Sequence, residues 1–418
     1  MELLNVLTKL PISVYDGNLG NVELTGLTKL VANIIDKFSI GGYIAVGILL
    51  FTLLLKIIPL PLDIYSRVAT KKNALRMERM RPELEKLQKQ YANNKELYQK
   101  KMMALYKKEG YSTFASCLPT IFTLVFFILV ISAFNQYSAY HKVEVFNQMA
   151  ISYSQEIRYD DRVSVYECTV DGDGNIVTPN VETATPIAKA DIKEENKHLY
   201  VYYVQDEATF NAVMKDAQDA AAEKYFELAD NQKFLWVRNI WVEDLPWKKA
   251  FVNKQTYNNA TFTYTKGCSC KGTTIESSIN NDQVYDILTG SSLLDEEKSK
   301  PNGFLILVAL SIGSMFLSQI VMSKSQKAQL ELQSVDQTAA QTNKMMKWMM
   351  PIMFGIFSFM YTASFSLYLI VSTLFSMVST IIINKIVERK FVKRVAREEE
   401  EKYNKRYAHI LKNKNKDE

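Results

Sequence analysis

Five apolar blocks interrupt an otherwise charged sequence: Gly42–Leu62, Phe114–Phe134, Phe304–Met322, Trp348–Tyr361 and Phe365–Val387. A helix needs about 20 apolar residues to cross a hydrocarbon core, and four of the blocks have that length. The fourth is shorter and contains Pro351, yet the fifth follows it at once and needs a partner to restore the topology. The whole-chain averages, 48% hydrophobic and 23% charged, conceal this segregation. The expected class is therefore a mainly α, polytopic membrane protein with five spans. Met1–Asp16 lacks an uninterrupted apolar region, so the first span is expected to act as its own insertion signal.

Charge placement orients the chain. Residues 63–112 hold thirteen Lys/Arg against six Asp/Glu, and the tail past Ile386 carries Arg389, Lys390, Lys393, Arg394 and Arg397. The connection at 323–347 carries Lys324, Lys327, Lys344 and Lys347. Basic short loops stay in the cytoplasm, which puts the N-terminus outside and the C-terminus inside. Residues 141–300, with seventeen basic and twenty-six acidic side chains, then lie outside by parity.

Between the blocks, periodicity predicts further elements. Leu24, Leu27, Leu30, Val31, Ile34, Ile35 and Phe38 follow a helical apolar stripe. This is an interfacial helix on the outer leaflet or a core helix of a small cap, and the span directly after it favours the interface. Ser66–Tyr91 and Lys95–Glu109 read as a charged helical hairpin turning at Ala92-Asn93-Asn94, with Leu84, Leu87 and Tyr91 facing Leu97, Met102 and Leu105. Pro82 should kink or interrupt its first arm. Such a hairpin is simply solvated or approaches an anionic lipid or RNA-rich surface; charge alone does not choose. The exterior segment reads as mixed α/β. Strands at Val163–Val170 and Asn175–Val177 flank the turn Asp171-Gly-Asp-Gly, a strand spans His198–Val204, and an Ala-rich helix spans Asp206–Ala229.

The divisions expected are an N-terminal segment, 1–40; membrane helix 1, 41–63; the cytoplasmic hairpin, 64–112; and membrane helix 2, 113–135. An extracytoplasmic domain, 136–302, with an insertion at about 141–231, precedes membrane helix 3 at 303–323. A cytoplasmic loop, 324–346, membrane helices 4 and 5 at 347–362 and 365–387, and a basic tail, 388–418, complete the chain. The insertion is expected to fold by itself, and Trp236, Trp241 and Trp247 to rest at the outer interface, where Trp is favoured.

Enzyme chemistry finds no support. His141, His198 and His409 stand apart from any Ser, Cys or carboxylate pairing, and HExxH, GxSxG and Walker motifs are absent. Cys168, Cys268 and Cys270 allow at most one bridge within the exterior domain, and Cys268-Ser-Cys270 lacks the second Cys/His pair of a metal site. No metal or cofactor is expected. Lys56 is the physical anomaly. It sits within the first span between Leu53-Leu54-Leu55 and Ile57-Ile58, where a cation costs roughly 2.5–3.5 kcal/mol at the helix centre unless it meets water or a partner. It either snorkels to the interface or lines a hydrated cavity. Thr52 lies one turn away on its face. Ser311, Ser314, Ser318 and Gln319, then Ser366, Ser372, Thr373, Ser376 and Thr380, add polar stripes to later spans, which favours the cavity.

Several segments resemble the YidC/Oxa/Alb family of membrane protein insertases. They are Leu55-Lys-Ile-Ile-Pro-Leu-Pro-Leu-Asp, Met80-Arg-Pro-Glu-Leu-Glu-Lys-Leu-Gln-Lys-Gln-Tyr, Met103-Ala-Leu-Tyr-Lys-Lys-Glu-Gly, Cys117-Leu-Pro and Met345-Met-Lys-Trp-Met-Met-Pro-Ile-Met-Phe-Gly, followed by Ser366-Leu-Tyr-Leu-Ile-Val-Ser-Thr-Leu-Phe-Ser. The order matches along about residues 25–389, apart from the exterior insertion. Phe234-Leu-Trp-Val-Arg-Asn-Ile-Trp-Val-Glu-Asp-Leu-Pro is similar to the family's approach to the third span. Lys56 replaces the family's usual Arg, Ser112-Thr113 its Asn-Pro, and Ser116 its Gly. The resemblance implies a five-helix core around a hydrophilic groove, with Lys56 as attracting cation and Thr52, Gln319 and Tyr368 as lining. The implied partners are nascent membrane proteins and the lipid bilayer, with the ribosome through the basic tail and the Sec translocon as further candidates, and no specific nucleic acid. The implied location is a bacterial plasma membrane. A transporter or channel, or a membrane-anchored sensor or scaffold, would also explain a buried cation and an exterior domain; ion flux and deletion of that domain discriminate them.

Overall fold

The computed structural model describes residues 8–10, 24, 26–110, 114–172, 176–193, 200–265, 281–325, 349, 352–353 and 355–414. Thus Cys268, Cys270, His198 and most of the loop at 324–346 lie outside the described residues. The fold is mostly helical. Strand β1 (Thr8–Lys9) precedes helices α1 (Gly26–Phe38), α2 (Ile44–Ile57), α3 (Leu60–Gln90), α4 (Lys95–Lys108) and α5 (Phe114–Tyr159). Strands β2 (Ser164–Glu167), β3 (Thr169–Val170), β4 (Ile176–Val177) and β5 (Tyr200–Val204) follow. Helices α6 (Glu207–Asn231), α7 (Lys254–Thr265), α8 (Asn281–Leu288), α9 (Asp295–Ser299), α10 (Ile306–Ser325) and α11 (Ala363–Lys414) complete the order.

Among the described residues, α10 and the first half of α11 are long and apolar enough to cross a membrane, and α2 with the start of α3 makes a third candidate, bent by 41°. Two prolines cause that bend. Pro59 and Pro61 lack N–H donors, and Pro59 disfavours helical geometry at Ile58. The chain nevertheless recovers at once, with the Asp63 amide bonded to the Pro59 carbonyl at 3.0 Å. The first span therefore continues, after its bend, into the first arm of the hairpin. A kink or an interruption is expected at Pro82, and the arm is not interrupted: the proline removes the donor for the carbonyl four residues back, yet α3 runs through it.

The chain forms two compact units. One contains residues 1–51, 130–309 and 358–367; the other contains 52–129, 310–357 and 368–418. In the second unit the hairpin closes on Met80, Leu84 and Leu105, with Leu87, Met102 and Tyr106 against them. Leu97 is exposed instead, and Met80 and Tyr106 extend the seam. Asn94 caps α4 by accepting from the Leu97 amide at 3.0 Å, a contact typically worth about 1 kcal/mol.

The first unit is built around a three-stranded antiparallel sheet in the order β1-β5-β2. Side chains alternate across β5. Tyr200, Tyr202 and Val204 enter the main core with α5 and α6, while Val201, together with Tyr166, Cys168 and Tyr203, forms a second cluster under Val181 and Ala184. Both faces are covered, which explains the uninterrupted apolar run. The expected hairpin is present, with Thr169 opposite Val177 and Val170 opposite Ile176. Helix α6 begins at Asp206, whose carboxylate accepts from the Thr209 amide at 2.8 Å. It buries Val213, Ala217, Ala221 and Tyr225 at four-residue spacing.

Three expectations are corrected in this unit. First, the main core is not confined to residues 141–231. Val242, Phe251, Val252, Tyr257, Val284, Leu288 and Leu294 share it with α5, β5 and α6, so the core of the insertion is continuous with that of the residues after it. Second, Trp241 is wholly buried rather than interfacial, whereas Trp247 is 62% exposed. The Trp241 indole stacks on His141 at 4.6 Å and meets Tyr137 edge-on at 5.4 Å. Burial holds the imidazole neutral, lowering its pKa to about 3. Third, α1 is not simply an apolar face laid on lipid. Thr28, Val31, Ala32 and Ile35 are buried within the unit, and Leu27 and Leu30 stay exposed beside them. Helix α1 meets α2 through backbone: a Cβ on Gly47 would stand 2.3 Å from the Ile35 carbonyl oxygen.

Candidate functional site

Helix α2 is apolar except near its last turn, which carries Lys56. Lys56 is half-buried, two residues before the proline bend. Thr52, one turn back on the same face, is wholly buried. Tyr368, near the start of α11, is 8% exposed, and Gln319, late in α10, is half-buried with its carbonyl accepting from Ser323 at 2.7 Å. All four expected site residues belong to the second compact unit.

Helices α10 and α11 are joined there by hydroxyls. Ser314 Oγ and Thr373 Oγ1 lie 2.8 Å apart. Ser314 also donates to the Ser311 carbonyl, and Thr373 bonds back to the carbonyls of Leu369 and Ile370. Ser311 and Ser318 extend the polar stripe on α10, and Ser372, Ser379 and Thr380 that on α11; all five are buried. The spacing is helical, so each stripe occupies one face. Small hydroxyl side chains let helices approach closely, and they provide groups that can exchange partners with a polar guest. The direct α10–α11 bond falls at Ser314 and Thr373 rather than at Gln319 or Tyr368.

Sequence reasoning missed a second cation. Arg67, on α3, donates to Thr380 Oγ1 at 2.7 Å and to Asn384 Oδ1 at 3.5 Å. Asp63 lies one turn before it, and its carboxylate charge acts on both Lys56 and Arg67. The signal was present as a separation of eleven residues between the two cations, about three helical turns. It was hidden among the basic residues of the hairpin.

A separate construction seats α10 and α11 in the first unit. Asp244 is 1% exposed, and its two carboxylate oxygens accept from the amides of Phe304 at 2.9 Å and Leu307 at 2.6 Å. It is thus a remote cap for α10, satisfying donors that a helix start leaves without partners. Leu305, at φ 65°, donates to the Asp244 carbonyl. The start of α11 is held by the same segment: the amides of Ala363 and Ser364 donate to the carbonyls of Val242 and Ile240, both at 2.9 Å. Asn302, wholly buried, ties the segment together. Its amide donates to the carbonyls of Asn239, Val242 and Glu243, and its oxygen accepts from the Asn239 amide.

The family model described as "60Kd inner membrane protein" matches residues 36–205 and 207–390. Among curated relatives, a "Membrane protein insertase YidC" of Clostridium perfringens is 36% identical over 104 residues, 25% of this chain and 42% of the relative. One from Treponema denticola is 38% identical over 92 residues, 22% of this chain and 15% of the relative. One from Clostridium tetani is 35% identical over 109 residues, 26% of this chain and 46% of the relative. The chain thus matches less than half the length of each. No solved structure matches it significantly. With most of its length, the span-sized helices included, inside the family match, the chain belongs to the 60Kd inner membrane protein family, that of the YidC-like insertases.

Proposed function

We propose that this chain is a membrane protein insertase that moves short tails and membrane segments of nascent proteins into the bilayer of a bacterial cell. The observation that carries the reading is Lys56, a half-buried cation at the end of an otherwise apolar helix. It shares its compact unit with the hydroxyl-bearing stripes of α10 and α11. The names of the curated relatives support the same reading.

On this reading five spans surround a groove open to the cytoplasm and to lipid, with the N-terminus outside and the C-terminus inside. The hairpin α3–α4 receives the client, and the basic end of α11 approaches the ribosome; the Sec translocon is a further partner. Lys56 attracts an acidic client tail, and Thr52, Gln319 and Tyr368 line its path. Loss of water around the pair strengthens that attraction, since charge interactions grow as the dielectric falls. The client's apolar segment then leaves for lipid, and its burial, worth about 25 cal/mol per Å², drives the step without a cofactor.

The test is complementation of an insertase-depleted strain, together with photocrosslinking from positions 52 and 368 to a stalled nascent membrane chain. Lys56→Arg is expected to support growth, and Lys56→Ala and Lys56→Glu to impair insertion of clients with acidic tails. Full insertion by Lys56→Glu, or crosslinks to no nascent chain, would overturn the reading.

A further inference from the structure

Arg67 is held by neutral acceptors. Thr380 and Asn384 lie one turn apart on α11 and take two guanidinium donors, while the Nε is buried without a hydrogen-bond partner. Thr380 itself is 1% exposed and bonded to the Ser376 carbonyl. The clamp therefore fixes the position of the Arg67 charge through two neutral acceptors. Asp63 is one helical turn away on α3, where i and i+4 side chains are neighbours. It lies just past the proline bend that follows Lys56. Along the chain, one carboxylate thus lies between two cations of one compact unit.

We propose that Arg67 and Asp63 set how strongly Lys56 draws an acidic client tail: the charge of Arg67, fixed by its clamp to α11, offsets that of the Asp63 carboxylate and so limits how far Asp63 masks Lys56. Arg67 is a positioning residue in this scheme and Asp63 an internal competitor for the client's carboxylates. The scheme rests on the reading of Lys56 as the attracting cation. Its chemistry predicts a sign. Removing Arg67 frees Asp63 to answer Lys56, which weakens the pull on acidic tails. Removing Asp63 leaves Lys56 unopposed and strengthens that pull. Removing both restores it. Arg67→Lys should fall between, because an ammonium keeps the charge but lacks the planar fork that reaches two acceptors.

The experiment uses the full chain in proteoliposomes and two single-span clients that differ only in the tail, one neutral and one with two aspartates. The quantity read is the ratio of acidic-tail to neutral-tail insertion, normalised to protein level by immunoblot. Lys56→Gln should bring the ratio to one; if it does not, the reading of Lys56 itself fails. Given that result, Arg67→Gln should lower the ratio about threefold and Asp63→Asn raise it by a similar factor, as expected for one partly solvated charge. The Asp63→Asn/Arg67→Gln double variant should return to the wild-type ratio or above. A double variant as low as Arg67→Gln would mean that Arg67 is only a mechanical clamp, and the proposal is wrong. If Arg67→Gln does not accumulate, Asp63→Asn alone decides, and an unchanged ratio overturns the proposal.

Discussion

Replacing Asp244 should loosen α10 more than any exposed acidic substitution. The carboxylate is 1% exposed and accepts from two amides, Phe304 at 2.9 Å and Leu307 at 2.6 Å. Asp244→Ala leaves the buried Leu307 amide without a partner, at about 1–3 kcal/mol, while Phe304 is exposed and its amide can turn to water. The substitution also removes a negative charge from a helix start, worth up to about 2 kcal/mol in a partly buried setting. The sum reaches about 3–5 kcal/mol. Asp244→Asn keeps one oxygen acceptor and should lose roughly half of that. Gly303→Ala tests the same contact from the other side, because its Cβ would stand 1.7 Å from an Asp244 oxygen. The assay is retention of the monodisperse peak in size-exclusion chromatography after graded heating in detergent. At about 2 cal/mol/K of unfolding entropy per residue, Asp244→Ala should lower the midpoint of this 418-residue chain by roughly 3–6 °C. A midpoint within about 2 °C of wild type, or a larger loss for Asp244→Asn than for Asp244→Ala, would refute the capping argument.

Three further outcomes are expected. Cysteines placed within 95–101 should resist a membrane-impermeant thiol reagent in intact cells and one at 282 should react; reversed labelling would overturn the orientation. Replacing 143–229 by a short Gly/Ser linker should abolish accumulation, since Val242, Phe251, Val252, Tyr257, Val284, Leu288 and Leu294 would lose their core partners. At up to about 1.5–3 kcal/mol each, these sum to roughly 10–20 kcal/mol, as large as a typical net stability of about 5–15 kcal/mol; a deletion that accumulates normally on immunoblot would show that the core is dispensable. His141 is held neutral, with a folded pKa of about 3, so the unfolded chain binds a proton that the folded one refuses between about pH 6.5 and 3. Its contribution is therefore complete above the unfolded value and declines as pH falls, by about 2 kcal/mol at pH 5. His141→Phe should flatten the pH dependence of the heating midpoint between pH 7 and 5; equal slopes in the two proteins would contradict the assignment.

Periodic features were readable from residues alone. The apolar run of β5, the Ala-rich α6 and the Leu84–Leu105 seam need only near neighbours in the chain. What stayed hidden depends on partners far away. Thr8 and Lys9 are too short a run to signal a strand and become one by pairing with Tyr203 and Val204. Trp241 fits an interfacial preference by residue type, yet tertiary packing with His141 and Tyr137 takes it inside. Asp244 caps a helix sixty residues later, a relation that the usual N-cap spacing cannot signal. At the candidate site, Lys56 and Thr52 were legible because charge and hydroxyl stand out in an apolar run. Arg67 was not, because its meaning comes from Thr380 and Asn384, more than three hundred residues away.

The segment that seats two membrane helices also has a history within each molecule's synthesis. Its acceptors at Ile240, Val242 and Asp244 are made first, the amides of Phe304 and Leu307 next, and those of Ala363 and Ser364 last. At about 5–20 residues per second, the seat waits roughly 3–12 s for the start of α10 and roughly 6–24 s for that of α11. Backbone helices form in under a microsecond to microseconds, so each arriving helix is finished long before its successor exists. The order of docking is thereby written into chain order. A slow or paused ribosome between residues 310 and 360 would lengthen the period during which the carbonyls of Ile240 and Val242 have no helix to receive, and that is when quality-control proteases would find this chain easiest to unfold.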